Sequence, residues 1–264
     1  MSQTLNALDD LPLQPQLRDL SPDRPLVWLR KGWRDTLATP VASLLYGGLF
    51  VLMGWLLIHH VAAGNLQLAF TLAWGFMLVG PFLATGFYEL SRRLEAGEPA
   101  QLWHAITALR HNPAALLLLG LASTLFLVAW VRVSAVVYAI VLGGSPDMTL
   151  AQIAHSLMSV EGVVFIAFYF AIGGVLATFA FCLSVISFPM LLDRRADVIT
   201  AIVASFGTAY RNRATMLRWA GWIALLTGLG FVTVIGLALT LPLIGHASWH
   251  AYRDAVDYDA LPPA

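Results

Sequence analysis

Charge is what this sequence has least of. Of its 264 residues, 11% are Asp, Glu, Lys or Arg and 59% are apolar, whereas an ordinary water-soluble domain is about 25% charged. So few charges cannot cover a water-facing surface. The surplus apolar surface has to face lipid, where no hydrophobic penalty opposes it. Cysteine is nearly absent too. The single Cys182 excludes an internal disulfide and any multi-cysteine zinc or iron–sulfur site, and inside an apolar run it reads as inert packing. Basic residues are few and border apolar stretches, so no nucleic-acid partner is expected. Met1 to Arg24 contains Asp9, Asp10 and Asp19 among prolines, with no basic stretch leading into an apolar core. This segment therefore reads as a mobile cytoplasmic tail and not as a secretory signal.

Long uncharged runs are what the sequence has instead. No Asp, Glu, Lys or Arg occurs over the 48 residues from Val41 to Tyr88, and a helix crosses a bilayer with about 20. Two passes fit there, with His59, His60, Gly64 and Asn65 at the turn. Pro113 to Leu142 is broken only by Arg132, and Gly162 to Leu192 by no charge at all; each predicts one long tilted helix. Trp219 to Tyr252 is too long for one crossing: a single helix would run about 50 Å against a hydrocarbon core of about 30 Å. A hairpin of helices near Ala214–Val232 and Ile235–Ala255 is preferred, with a single pass ending at Pro242 as the alternative.

The expected fold is therefore an all-α bundle of six spans, near 41–58, 66–88, 113–142, 162–192, 214–232 and 235–255. The transmembrane domain covers 26–255, between a flexible tail at 1–25 and a C-terminal tail at 256–264. Arg30, Lys31 and Arg34 precede the first span. Arg92, Arg93 and Arg110 lie between the second and third, and Arg194, Arg195, Arg211, Arg213 and Arg218 between the fourth and fifth. The connectors on the other side have no basic residue, so the positive-inside rule places both termini and the arginine-rich loops in the cytoplasm. Three aromatic and basic segments, Leu26–Asp35, Leu102–His111 and Ile202–Arg211, each precede a span. Leu26, Leu29, Trp33 and Leu37 recur at helical spacing, as do Leu102, Ile106 and Leu109, and Ile202, Phe206 and Tyr210. Such stripes suit helices lying in the cytoplasmic interface. With Pro81, Pro189 and Pro242 in the even-numbered spans, the unit is interfacial helix, span, span, used three times as a weak internal repeat.

Three motifs look familiar: Trp28-Leu-Arg-Lys-Gly-Trp-Arg-Asp35 leading to Pro40, Gly80-Pro-Phe-Leu-Ala-Thr-Gly-Phe-Tyr-Glu-Leu-Ser-Arg-Arg93, and Pro242-Leu-Ile-Gly-His-Ala-Ser-Trp-His-Ala-Tyr-Arg-Asp254. Together, from Leu26 to Asp254, they resemble the bacterial membrane family DUF2189, some members of which carry the label of a cytochrome c oxidase subunit. The resemblance implies a multi-span bacterial membrane protein and supplies no catalytic residues; the bacterial inner membrane is the expected location.

His246 and His250 are the sharpest candidates for chemistry. Four residues apart on a helix, they share a face, a spacing compatible with metal or haem ligation or a proton relay. Aligned on the prolines, Thr85 and Glu89 of the second span and Asp193 of the fourth fall beside them, as a polar cluster below three proline kinks. The structural alternative has Glu89, His250 and Asp193 solvated at headgroup level and His246 hydrogen-bonded between helices. Arg132 is the one formal charge well inside a span; it either snorkels outward, pairs with Asp147 or Glu161, or gates. His59 and His60 point to different faces, which argues for a solvated turn over a joint metal site. Gly47, Gly48, Gly54, Gly173 and Gly174 permit close helix approach. Trp55 and Trp74 are expected to pack within spans, and Trp28, Trp33, Trp103 and Trp249 to anchor at the interface.

A haem–copper core needs several deep histidines, and only His246 qualifies. Gly-x-Ser-x-Gly and His-Glu-x-x-His motifs and a phosphate-cradling loop are absent. No catalytic residue and no cofactor is expected. The leading expectation is a non-enzymatic scaffold or accessory subunit of a respiratory or other membrane complex. A small-solute or ion transporter is the alternative, followed by a haem- or metal-binding oxidase-associated subunit using His246 and His250.

Overall fold

The computed structural model describes residues 16–64, 83–142 and 159–257, and the chain is helical almost throughout these. The expected span at 66–88, with Pro81, Trp74 and most of its length, lies largely outside the described residues, as do Asp147 and residues 1–15 and 258–264. Four described helices are long and apolar enough to cross a membrane: Pro40–Ala62, Pro113–Val133, Gly162–Asp193 and Arg213–Thr233. The chain divides into two compact units, one made of residues up to Gly120 and from Leu183 onward, the other of Leu121–Cys182.

In the larger unit, α1 (Arg24–Ala38) starts with Pro25 in its first turn, where the missing N–H has no helical partner to lose. It ends at Thr39, and Pro40 opens α2 (Pro40–Ala62). Helix α3 is described from 83 to 95. The short α4 (Leu102–Thr107) is capped reciprocally: Gln101 accepts from the first turn while its own N–H donates to His104 Nδ1 at 3.1 Å. Helices α5 (Pro113–Leu142) and α6 (Val160–Ser184) run from one unit into the other. The helix expected to run unbroken from 162 to 192 is interrupted at Val185–Ile186 and resumes as α7 (Ser187–Asp193). Pro189 cannot donate to the Val185 carbonyl and its ring crowds it, which accounts for the break. Two groups at the break bond to α8 (Val198–Arg211): Ile186 N–H donates to Ser205 Oγ at 3.1 Å and Ser187 Oγ to the Ala201 carbonyl at 3.1 Å.

The region from 214 to 255 is two helices, α9 (Arg213–Thr233) and α10 (Leu237–Ala255). They are joined through Val234, whose φ of 60° puts a β-branched residue in the left-handed region. Helix α10 is the centre of the unit, buried over most of its length from Ile244 onward. Two glycines let neighbours reach it. A Cβ at Gly32 of α1 would lie 2.7 Å from Ala247 N. One at Gly47 of α2 would lie 2.7 Å from the Ala238 carbonyl, the acceptor that Pro242 leaves without its helical donor. By contrast, Gly48 and Gly174, expected to serve close approach, face open space. Tyr46 meets Phe87 edge-on at 5.2 Å and Phe50 stacks on Phe87 at 6.4 Å, forming the apolar layer between α2 and α3.

The three short helices are amphipathic in an unusual sense. Helix α8 buries Ala201, Ala204, Ser205 and Thr208 and exposes Ile199, Val203 and Tyr210. Helix α1 buries Pro25, Trp28, Gly32 and Thr36 and exposes Leu26, Trp33 and Leu37, while α4 buries Ala105 and exposes Trp103 and Ile106. Mostly small residues pack inward and large apolar ones point away from the protein. Of the four tryptophans expected as interface anchors, Trp33 and Trp103 are exposed, whereas Trp28 and Trp249 are fully buried. Their indole N–H groups explain it, donating to Asp254 and to Glu95 respectively. Trp55, expected to pack, is exposed and stacks on His59 at 5.3 Å.

Residues 16–23, expected in a mobile tail, are tied down as a strap. Strand β1 (Gln16–Leu17) pairs antiparallel with β2 (Val256–Asp257). Asn212 accepts from Leu20 N–H at 2.7 Å and donates to the Arg18 carbonyl at 3.0 Å; Thr215 and Arg218 donate to the Leu20 and Pro22 carbonyls. Arg211 grips the Asp19 carboxylate with two bonds of 2.6 and 2.7 Å.

In the smaller unit, Phe126 stacks on Phe179 at 5.2 Å and Trp130 lies over Gly173, where a Cβ would come within 2.6 Å of the ring. Arg132 is exposed there. The proposed pairing with Asp147 or the Glu161 side chain lies outside the described residues.

Candidate functional site

Polar side chains gather where the first turns of α2 meet α1, α3 and α10. At their centre is His246, fully buried on α10. Its Nε2 is 3.0 Å from Ser43 Oγ of α2, and its Nδ1 is 2.8 Å from Ser91 Oγ of α3. Ser91 reaches on to Asp35 Oδ2 of α1 at 2.6 Å, and the same oxygen meets His250 Nε2 at 2.8 Å. From Ser43 the contacts continue to Thr39 Oγ1 at 3.0 Å, which lies 3.0 Å from the Asp35 main-chain carbonyl. The ring of Phe87 covers the His246 imidazole at 5.5 Å. Two histidines one helical turn apart thus share one carboxylate on another helix, with Ser91 between it and His246. A cavity of about 280 Å³, lined by Lys31, Arg34, Asp35, Ser91, Glu95 and His250 among others, opens onto the carboxylate side.

Glu89 sits on a separate cluster. Its buried carboxylate takes Arg92 Nε and Nη2 at 2.8 and 2.9 Å, Arg93 Nε at 2.9 Å, and lies 3.3 Å from His111 Nε2. Burial alone would raise its pKa. The hydrogen bonds from His111 and Arg92 outweigh burial and hold it at about 2. Asp193 is elsewhere again, accepting from Tyr252 Oη at 2.9 Å and contacting Arg194 and Arg253 at 3.1 and 3.4 Å. Arg253 also bridges to Glu95 at 3.0 Å. A second cavity of about 280 Å³ lies between the last two groups, lined by Arg92, His111, Asp193, Arg194, Trp249 and Arg253 among others.

Of the five residues the sequence assembled, His246 and His250 are joined through Asp35 and Ser91. Glu89 and Asp193 belong to their own ion-pair networks, and Thr85 is buried on α3. Neither Glu89 nor His250 is exposed: Arg92 and Arg93 of its own helix and His111 close over Glu89, and His250 is held against Asp35 of α1 at the edge of the cavity. Asp35, Ser91, Ser43 and Thr39 were missed. Asp35 and Ser91 stood inside two of the three motifs that carried the family resemblance, and Thr39 and Ser43 stood four apart at the start of a span; that was the available signal. Among the described residues no group of three or more His, Cys, Asp and Glu has an arrangement that would hold a metal ion.

A family model described as a predicted integral membrane protein, DUF2189, matches residues 69–193, a little under half of the chain. Over those residues the chain is similar to that family. No curated protein and no solved structure matches the chain. The DUF2189 match contains the motif Gly80–Arg93, and with it Glu89 and Ser91, as well as Asp193. It does not reach the motifs at Trp28–Asp35 and Pro242–Asp254, which bring Asp35, His246 and His250 to the same place. Of the six polar residues of the His246 cluster, Ser91 alone lies within the matched region, and Asp35, Thr39, Ser43, His246 and His250 lie outside it.

Proposed function

We propose that this membrane protein is a non-enzymatic scaffold or accessory subunit whose arginine-bearing face lies in the inner headgroup layer of a bacterial cytoplasmic membrane. One observation carries the reading: α1, α4 and α8 turn small residues inward and Trp33, Leu37, Trp103, Ile106, Ile199, Val203 and Tyr210 outward. In water such faces would be a liability. At the headgroup boundary they bury apolar rings and stems while Arg30, Arg34, Arg110 and Arg211 meet phosphates. Arg110 already lies over the Trp103 ring at 5.9 Å, and Arg213 over Tyr210 at 5.1 Å. The positive-inside rule then places both termini in the cytoplasm, and the three helix-plus-span units read as a repeat. The polar groups beneath these helices bond to one another, which makes a rigid platform.

Quenching by brominated lipids tests the reading. Variants retaining a single tryptophan, either Trp33 or Trp103, are reconstituted with lipids brominated near the headgroup or deep in the tails. Quenching of both by shallow bromines supports it, and no quenching by either refutes it. Co-purification of a stoichiometric membrane partner would distinguish accessory subunit from free scaffold.

A second reading, ion-coupled transport, is favoured by the connected chain His246, Ser91, Asp35 and His250 beside a cavity. Flux through reconstituted vesicles that is lost in His246→Ala would support it. Haem or metal ligation is the least favoured, because both ring nitrogens of His246 already engage serines.

A further inference from the structure

The contacts around His246 close into a ring whose hydrogens can be counted. Six contacts link His250 to Asp35, Asp35 to Ser91, Ser91 to His246, His246 to Ser43, Ser43 to Thr39, and Thr39 back to the Asp35 carbonyl. Each needs one hydrogen. His250 Nε2 supplies one toward the carboxylate, and the three hydroxyls supply one apiece. A neutral imidazole at His246 supplies one more, and an ionised carboxylate none. Five hydrogens therefore face six contacts. Whichever tautomer His246 adopts, one buried pair at 3.0 Å or less is left as two facing lone pairs, a repulsive contact in surroundings that screen it little.

We propose that Asp35, Ser91, His246, Ser43 and Thr39 form a binding site for one additional proton. In one form His246 is an imidazolium: Nδ1–H donates to Ser91, which donates to Asp35, and Nε2–H donates to Ser43, which donates to Thr39, which donates to the Asp35 carbonyl. In the other form His246 Nδ1 passes its proton to Ser91 Oγ as Ser91 passes its own to Asp35 Oδ2. The ion pair becomes a neutral carboxylic acid and a neutral imidazole, and every contact still carries a hydrogen. Ser91 is the relay between the two forms. The proton comes from water through the cavity bounded by Asp35, Ser91 and His250.

The charged neighbours are shared out between the two ends. Helix α1 presents Lys31 and Arg34 at the cavity, α3 presents Glu95, and α10 presents His250; α2 presents Ser43, with Tyr46 beyond the Phe87 ring. None of these lies between His246 and Asp35. The site holds whether the protein is a scaffold or moves an ion.

The test is nuclear magnetic resonance of the 264-residue chain in detergent micelles, with ¹⁵N-labelled histidine and ¹³C-labelled aspartate carboxyls. His246→Gln and Asp35→Asn assign the signals. At pH 7, imidazolium at His246 with ionised Asp35, or neutral His246 with protonated Asp35, each supports the site. Neutral His246 together with ionised Asp35 overturns it. Thr39→Val supplies the second arm, since it keeps the shape of the side chain and removes two of the six contacts together with one hydrogen, leaving four hydrogens for four contacts. The remaining contacts are then satisfied by a neutral imidazole, so the midpoint for proton loss falls by about one pH unit or more, at least tenfold in affinity. An unchanged midpoint in folded Thr39→Val overturns the proposal. A purely architectural ring would not transmit a change at Thr39 to the protonation of His246 or Asp35.

Discussion

Acid should loosen this protein through Glu89, and the size of the effect follows from its surroundings. Glu89 lies one residue past the uncharged run that ends at Tyr88, buried to 2% side-chain exposure, with Arg92, Arg93 and His111 around it. Its pKa falls from 4.5 to about 2. Because the folded value is the lower one, the stabilisation is complete above about pH 4.5. It is lost progressively as pH falls toward 2. At about 1.4 kcal/mol per pKa unit, the ionised carboxylate contributes on the order of 3 kcal/mol. Glu89→Gln keeps the shape and removes the charge, leaving Arg92 partly buried without its counter-ion, which costs a similar amount at neutral pH. Thermal unfolding in detergent, followed by tryptophan fluorescence from pH 7 to pH 2.5, separates the two proteins. The wild-type midpoint should fall below pH 4.5 and converge on that of Glu89→Gln, which should be lower at pH 7 and flatter across the range. Equal midpoints at pH 7 would refute the argument.

Three further outcomes are expected. Gly32→Leu should drive α1 away from α10, because even a Cβ there meets Ala247 N at 2.7 Å; a loss of at least about 1–3 kcal/mol would appear as a lowered unfolding temperature. Asn212→Ala removes both bonds to the strap at Leu20 and Arg18, and limited proteolysis should cut residues 16–23 several-fold faster while the helices persist. Val234→Gly relieves a side chain held at φ 60° and should raise stability by about 1 kcal/mol, read as a higher midpoint in detergent.

Much of the helix pattern was legible because it is local. Charge-free runs marked α2, α5 and the first part of α6, and the length argument at Trp219–Tyr252 anticipated two helices joined near residue 234. The spacing of His246 and His250 placed them on one face. Their partners were not legible, because Ser43, Ser91 and Asp35 are 203, 155 and 215 residues away from the histidines they meet. Nothing in hydropathy ranks one distant serine over another. Registering three helices on their prolines failed for Asp193 because Pro189 ends in a break at Val185–Ile186, which re-aims α7 toward Tyr252 and Arg253. Trp28 and Trp249 were misplaced for a related reason. An indole at a helix end is equally at home among lipid headgroups or over a buried carboxylate, and only the fold supplies Asp254 and Glu95.

The pairing of Gln16–Leu17 with Val256–Asp257 imposes an order on biosynthesis. A ribosome releases the first of these segments long before the second exists, so the clasp can close only when the last helix has been made and seated. Until then Gln16 and Leu17 lack the strand they pair with, although Arg18 to Pro22 can already bond to Arg211, Asn212, Thr215 and Arg218. Closure therefore depends on completion: with α10 missing or misplaced, Gln16 and Leu17 lose their pairing with Val256 and Asp257.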